Sequence, residues 1–298
     1  MTSQIHPTVV VGIDGSEQSL IALDVAADEA TRRHQPLRVV SAFQWPPFAP
    51  SIQVPDAGVA DDSLDAVRRM LTDATEKIRR THTGLDVTTV VILGGPATTL
   101  VDESTRASII VVGNRGYGGF TSLLAGSVAT QLATHAHCPV LVVRPHTAPS
   151  TATTLPVVVG VDGTEGNETA VGFAFEEAAS RGVSLTAVSV WSQPPRSGPD
   201  QFKPVAYDYD EARQAAGREL AESLAGHQEK YPDVTVLREL ICGLDPAHEL
   251  RLASAAASLI VVGSRGRGEL SGLLLGSVGQ TLVHHARCPV AIIRAGTP

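Results

Sequence analysis

The feature that most constrains this chain is that it is written twice. Val9-Val10-Val11-Gly12-Ile13-Asp14-Gly15-Ser16 recurs as Val157-Val158-Val159-Gly160-Val161-Asp162-Gly163-Thr164, an offset of 148 residues. Ile110-Val111-Val112-Gly113-Asn114-Arg115-Gly116 recurs as Ile260-Val261-Val262-Gly263-Ser264-Arg265-Gly266, at an offset of 150. His135-Ala136-His137-Cys138-Pro139-Val140 returns as His285-Ala286-Arg287-Cys288-Pro289-Val290 at the same offset of 150. Solenoid repeats run to only about 20–50 residues, so this period marks a duplicated domain. Residues 1–145 then form one domain and 155–298 the other. Between them, 146–154 is rich in Pro, Thr, Ser and Ala and has no apolar periodicity, as a linker should.

Within each copy, short β-branched runs alternate with longer amphipathic stretches. The first copy predicts strands over Thr8–Ile13, Leu37–Ala42, Val87–Leu93, Ile109–Val112 and Val140–Val143. Helices are expected over Ser19–His34, Ser63–Thr81, Thr98–Arg106 and Ser127–Ala136. The near-continuous apolar run Ser108-Ile109-Ile110-Val111-Val112 suits a strand buried on both faces, which is the mark of a parallel sheet between helical layers. Strand–helix alternation implies right-handed crossovers and a doubly wound α/β fold in each half.

Composition narrows the function. The chain of 298 residues carries a net charge of -8. It has no basic tract, which argues against a nucleic-acid partner. No apolar run is long enough to cross a bilayer. Met1–Pro7 lacks the basic and apolar regions of a signal peptide, so the cytoplasm is the default location. Three cysteines, Cys138, Cys242 and Cys288, form no C-x-x-C pair. They read as small buried apolar residues rather than disulfide or zinc ligands. His135 with His137, and His284 with His285, are spaced so that they do not share a helix face. They suit the negative end of a helix dipole better than a metal. His248 and Glu249 read as a solvated helix start. Trp45 and Trp191 precede Pro-rich loops, either as plugs of the sheet end or as the lining of a pocket or partner surface.

Ligands of an open parallel sheet bind beyond the carboxyl ends of its strands, at a topological switch point. Two motifs stand there. The first strand ends in Gly12-Ile13-Asp14-Gly15-Ser16. The fourth ends at Gly113 and opens a loop that closes on Gly126-Ser127, where a helix begins. In that loop Gly113, Gly116, Gly118 and Gly119 are free to adopt positive φ and expose backbone N–H groups. Ser127 is a suitable N-cap. The amides at the helix start, with Val128 behind them, carry the positive end of the dipole and form a nest for phosphate oxygens. The second copy repeats the device with Gly263, Gly266, Gly268, Gly276, Ser277 and Val278. Asp14, like Asp162 after Gly160, either contacts a nucleoside or makes an Asx turn or helix cap. Neither a P-loop nor a G-x-G-x-x-G fingerprint occurs.

These residues resemble the universal stress protein family. Its ATP-binding members carry G-x2-G-x9-G-[ST], which here is Gly113-x2-Gly116-x9-Gly126-Ser127 and Gly263-x2-Gly266-x9-Gly276-Ser277. The V-x-V-G-x-D-G-[ST] openings and H-x-x-C-P-V endings are similar too. The resemblance implies a five-stranded parallel sheet of order 3-2-1-4-5 in each domain. It implies ATP with its triphosphate over the loop, adenine near Val40, and Asp14 close to the nucleoside, with Mg2+ as an optional companion. Asn114, Arg115 and Tyr117, and in the second copy Ser264, Arg265 and Arg267, belong to the same loops. A homodimer, an unidentified protein partner and a stress-related role are implied as well. The loops supply glycine amides and arginines rather than the metal-holding carboxylates of phosphoryl transfer. The expected activity is therefore nucleotide-responsive regulation, with a slow ATPase or an interaction scaffold with vestigial sites as alternatives.

Overall fold

Val9, Val10 and Val11 are each at most 1% exposed, as a strand covered on both faces must be. Their strand, β1 (Thr8–Gly12), lies in parallel between β2 (Leu37–Phe43) and β4 (Ala107–Gly113). Beyond these, β2 pairs with β3 (Val87–Leu93) and β4 with β5 (Val140–Val143). The connecting helices are α1 (Glu17–Arg32), α2 (Ala57–Thr81), α3 (Pro96–Glu103) and α4 (Ser127–His135). The second half continues with β6 (Val157–Gly160), α5 (Glu165–Arg181), β7 (Leu185–Trp191), α6 (Tyr209–Lys230) and β8 (Val236–Cys242). It closes with α7 (Pro246–Ala253), β9 (Leu259–Gly263), α8 (Ser277–His285) and β10 (Val290–Ile293). This computed structural model describes residues 7–44, 57–117, 126–144, 154–192, 209–266 and 275–295.

Each half has the strand order 3-2-1-4-5, but the two sheets are not separate. They form one ten-stranded sheet, β3-β2-β1-β4-β5-β10-β9-β6-β7-β8. The join is antiparallel, with Val142 opposite Val290 and Val140 opposite Ile292. The physical reason lies in β5 and β10 themselves. Both are fully buried apolar strands, and an edge of that kind needs its backbone groups paired.

Helices cover both faces. Leu23 of α1, Leu71 of α2, Phe175 of α5 and Leu220 of α6 belong to one apolar core. Leu100 of α3, Leu132 of α4, Leu250 of α7 and Leu282 of α8 belong to the other.

The seam is locked on both faces by residues that the duplication pairs. On the first face, Glu29 and Glu177 are each 1% exposed. Arg33 bonds Glu29 on its own helix and Glu177 across the seam. Reciprocally, Arg181 donates to Glu177 Oε2 at 2.9 Å and to Glu29 Oε2 at 3.2 Å. On the other face, Arg144 donates to the Val283 carbonyl at 2.6 Å, and Arg294 to the Ala136 carbonyl at 3.3 Å. Each half thereby satisfies carbonyls at the helix end of its twin, where they lack intrahelical partners.

Cys138 and Cys288 are buried as expected, and burial pushes both thiols up to about 12. Cys242 departs from the expectation. It is exposed, because it ends the outermost strand β8 on the side away from the core. Among the described residues, no helix is long and apolar enough to cross a membrane. The expected linker falls outside the described residues except for Thr154, as does Trp45.

Candidate functional site

The carboxyl ends of β1 and β4 lie side by side, so the chain after each strand meets the other. Asp14 makes the connection. Its Oδ1 accepts the Ser16 N–H at 3.0 Å, and its Oδ2 accepts the Tyr117 N–H at 2.8 Å. Its own N–H donates to Ser19 Oγ at 3.3 Å. Partial burial would raise the Asp14 carboxyl, but the bonds from Ser16, Tyr117 and Ser19 outweigh it and hold the group below its ordinary range. Asp14 is therefore both the Asx turn that opens α1 and a latch on the glycine loop. Asp162 repeats the turn, accepting the Thr164 N–H at 3.0 Å and hydroxyl at 2.7 Å.

The motif glycines have a different reason from the one the sequence suggests. Gly113, Gly116, Gly126, Gly263, Gly266 and Gly276 are not among the described glycines with positive φ. They are glycine because backbone and carboxylate approach them closely. A Cβ on Gly113 would stand 3.0 Å from the Gln18 carbonyl, and one on Gly116 only 2.3 Å from Asp14 Oδ2. Gly126 donates its N–H to the Asn114 carbonyl at 2.7 Å, and its Cβ would lie 3.3 Å from that oxygen. The second half keeps two of these relationships more loosely, whereas a Cβ on Gly263 would meet the Arg265 carbonyl at 3.1 Å instead. The Gly266 Cβ would be 3.0 Å from Asp162 Oδ2, and Gly276 bonds the Ser264 carbonyl at 2.9 Å. Positive φ occurs earlier, at Gly15 and Gly163 in the first turns.

Ser127 is also reassigned. It is the first residue of α4, and the cap is Gly126, which has no side chain to bond the leading amides. The same holds for Gly276 and Ser277 at α8. A serine cap would occupy one of those N–H groups. A glycine cap leaves them open, which suits an anion better. Ser127 and Ser277 are exposed, and Val128 and Val278 are half-buried behind them.

Gly12 and Gly160 serve packing. A Cβ there would come within 2.6 Å of Leu100 Cδ1 and 2.8 Å of Leu250 Cδ1, respectively. Val40 lies beneath the site as floor. It is 1% exposed, and its carbonyl accepts the Ile13 N–H at 2.9 Å. Arg115, Gly116, Tyr117 and Arg265 are exposed, whereas Asn114 and Ser264 are buried. Asn114 Oδ1 is a buried acceptor with no hydrogen-bond partner among the described residues. Gly118, Gly119, Arg267 and Gly268 lie outside the described residues.

Two neighbours of the site escape a reading of the loops alone. The first is Gln18, whose backbone fixes the place of Gly113. The second is Arg144, which follows β5. Burial, and then the nearby Arg115 guanidinium, pull Arg144 below its ordinary range. A positive charge that disfavours a neighbouring guanidinium marks a place where an anion is stabilising. Comparing the two copies would have found Arg144, because Val143-Arg144 recurs as Ile293-Arg294.

A family model described as the universal stress protein family matches residues 6–144 and again 154–294. The chain belongs to the universal stress protein family. Among curated universal stress proteins, Rv2005c of Mycobacterium tuberculosis is 38% identical over 295 residues, covering 96% of either chain. Rv2623 of the same organism is 38% identical over 296 residues, again with 96% of each covered. A solved universal stress protein from Archaeoglobus fulgidus covers 97% of this chain and 98% of its own, with a TM-score of 0.69 and 19% identity. That likeness carries the fold, including the tandem arrangement.

Proposed function

We propose that each half binds ATP at the carboxyl end of its sheet, and that the chain is a nucleotide-responsive regulator in stress adaptation. The observation that carries this is the glycine-capped helix start, made twice: α4 and α8 each present leading amides that no cap side chain occupies. Arg115 beside Arg144 adds positive charge at the first site.

Asp14, whose two oxygens each accept one backbone N–H, keeps a lone pair on each that could help hold Mg2+ if it accompanies the nucleotide. The Asp14 carboxyl, held below its ordinary range, is a weak base for activating water, which favours binding over turnover. Slow hydrolysis is the second reading, and steady-state phosphate release distinguishes it. A homodimer would form through a surface other than β5 and β10, which already pair with each other. We place the protein in the cytoplasm.

Mass spectrometry of nucleotide released on denaturing freshly purified protein tests the central reading, together with calorimetric titration of ATP. Adenine nucleotide at up to two per chain is expected. No released nucleotide and no heat of ATP binding would sink it.

A further inference from the structure

The duplication also exposes a place where the halves have diverged in charge. Ser104 Oγ accepts the His137 N–H at 2.9 Å, and Ser254 Oγ accepts the Arg287 N–H at 3.0 Å. This shared bond fixes the correspondence between the α3–α4 groove of the first half and the α7–α8 groove of the second. Along the first groove stand Thr98, Val101 and His137. At the corresponding positions of the second stand His248, Arg251 and Arg287, with His285 matching His135. The second groove thus carries two arginines and a histidine where the first carries one histidine, in a chain whose net charge is -8.

The groove has a volume of about 650 Å³, within the range of small-molecule sites. It runs from Ser277 at the start of α8 to Arg287 beyond its end. Its one carboxylate, Asp245, already caps α7 by accepting the His248 N–H at 3.1 Å. Among the described residues, neither Arg251 nor Arg287 has a carboxylate within salt-bridge distance. The seam arginines on the opposite face of the sheet contrast with this, since Arg33 and Arg181 are each paired with Glu29 and Glu177.

We propose that the α7–α8 groove, which meets the second glycine loop only at Ser277, is a further anion site centred on Arg251 and Arg287, for a compact molecule carrying two or more phosphate groups. Two guanidinium groups provide forked N–H pairs that match phosphate oxygens. His248, whose Nδ1 lies 3.5 Å from Arg251 Nη2, and His285 flank them along the same wall. The first half has no such site, because Val101 and Thr98 stand where the charges would be. The proposal does not rest on ATP binding at the loops.

The test is calorimetric titration of the full chain with inorganic tripolyphosphate at about 0.15 M salt, where exposed charges are screened beyond about 8 Å. It is run with and without excess ATP, so that the glycine loops are accounted for. One tripolyphosphate per chain that persists under ATP is expected. The Arg251→Ala/Arg287→Ala variant should weaken that site at least tenfold, leave ATP binding unchanged and keep its circular dichroism. Arg251→Lys/Arg287→Lys should recover part of the affinity. Unchanged tripolyphosphate binding in the alanine variant overturns the proposal. So does its disappearance under ATP, or parallel loss of ATP and tripolyphosphate in the variant. Binding of an acidic peptide but not tripolyphosphate would instead make the groove a protein-docking surface.

Discussion

The Asp14 carboxylate lies against Gly116 so closely that a Cβ on that glycine would stand 2.3 Å from Oδ2. The same oxygen holds the Tyr117 N–H one residue later. The strand-end acid and the second motif glycine are therefore one device, and they should fail together.

Gly116→Val is expected to displace Asp14 and open the first loop, lowering ATP affinity at that site tenfold or more. The loss of one charge-assisted contact, about 1.5–3 kcal/mol, is enough to do so. Gly266→Val should affect only the second site. Single-site titrations of folded variants check this. Full stoichiometry and affinity in Gly116→Val would put the site elsewhere.

Asp14→Ala removes the latch as well as any nucleoside contact. Affinity for ATP should fall together with affinity for other nucleoside triphosphates, and the Tyr117 amide should exchange faster with solvent. An unchanged Tyr117 exchange rate in the variant would contradict the latch.

At the seam, Arg33→Ala would leave two buried carboxylates, Glu29 and Glu177, short of a partner. Removing one member of a buried ion pair costs about 3–5 kcal/mol, and a loss of that order is expected in urea unfolding. A change below about 1 kcal/mol would mean the cluster behaves like exposed pairs.

The same cluster sets the acid response. Burial acts to raise Glu29, but Arg32, Arg33 and Arg181 outweigh it and hold the carboxyl at about 2. Its folded value is depressed, so its contribution is present above the ordinary 4.5 and is lost as pH falls towards about 2. Glu177 is raised, by burial first and by the Glu29 charge next. Its contribution has the opposite sign and fades as pH rises through its folded value. Urea midpoints across pH 5 to 2 should therefore fall in the native protein, as is usual for paired carboxylates. Glu29→Gln should start lower and fall less.

His34 and Gly182 close α1 and α5 at equivalent places, both with positive φ, 52° and 64°. Only glycine adopts that conformation freely, and other residues pay about 1–2 kcal/mol for it. His34→Gly should stabilise the protein by about 1 kcal/mol, and Gly182→Ala should destabilise it similarly. Thermal unfolding of the two variants measures both signs.

The duplication and the parallel strands can both be read from the sequence, because each leaves a local mark. Apolar runs such as Ile110-Val111-Val112 announce buried strands, and Gly113, Gly116 and Gly126 mark the loop. What the sequence hides is why those glycines are needed. Their constraint comes from Gln18 and Asp14, which are distant in sequence, and not from the local backbone angles. Capping misled for a similar reason. Ser127 has the chemistry of a cap, but the helix starts on it, and Gly126 takes the cap position. The seam left no local signal either. Glu29 and Arg33 look like an ordinary exposed helix pair until Glu177 and Arg181 are brought against them.

The β5–β10 join has a consequence for how the protein meets dilution. Two separate chains pairing along such an edge would come apart as their concentration dropped. Here both strands belong to one chain, and a covalent tether holds the local concentration of each half at about the millimolar scale. The two halves therefore stay in fixed proportion at any expression level. Whatever senses the protein sees a constant pair, not a population of singles and doubles.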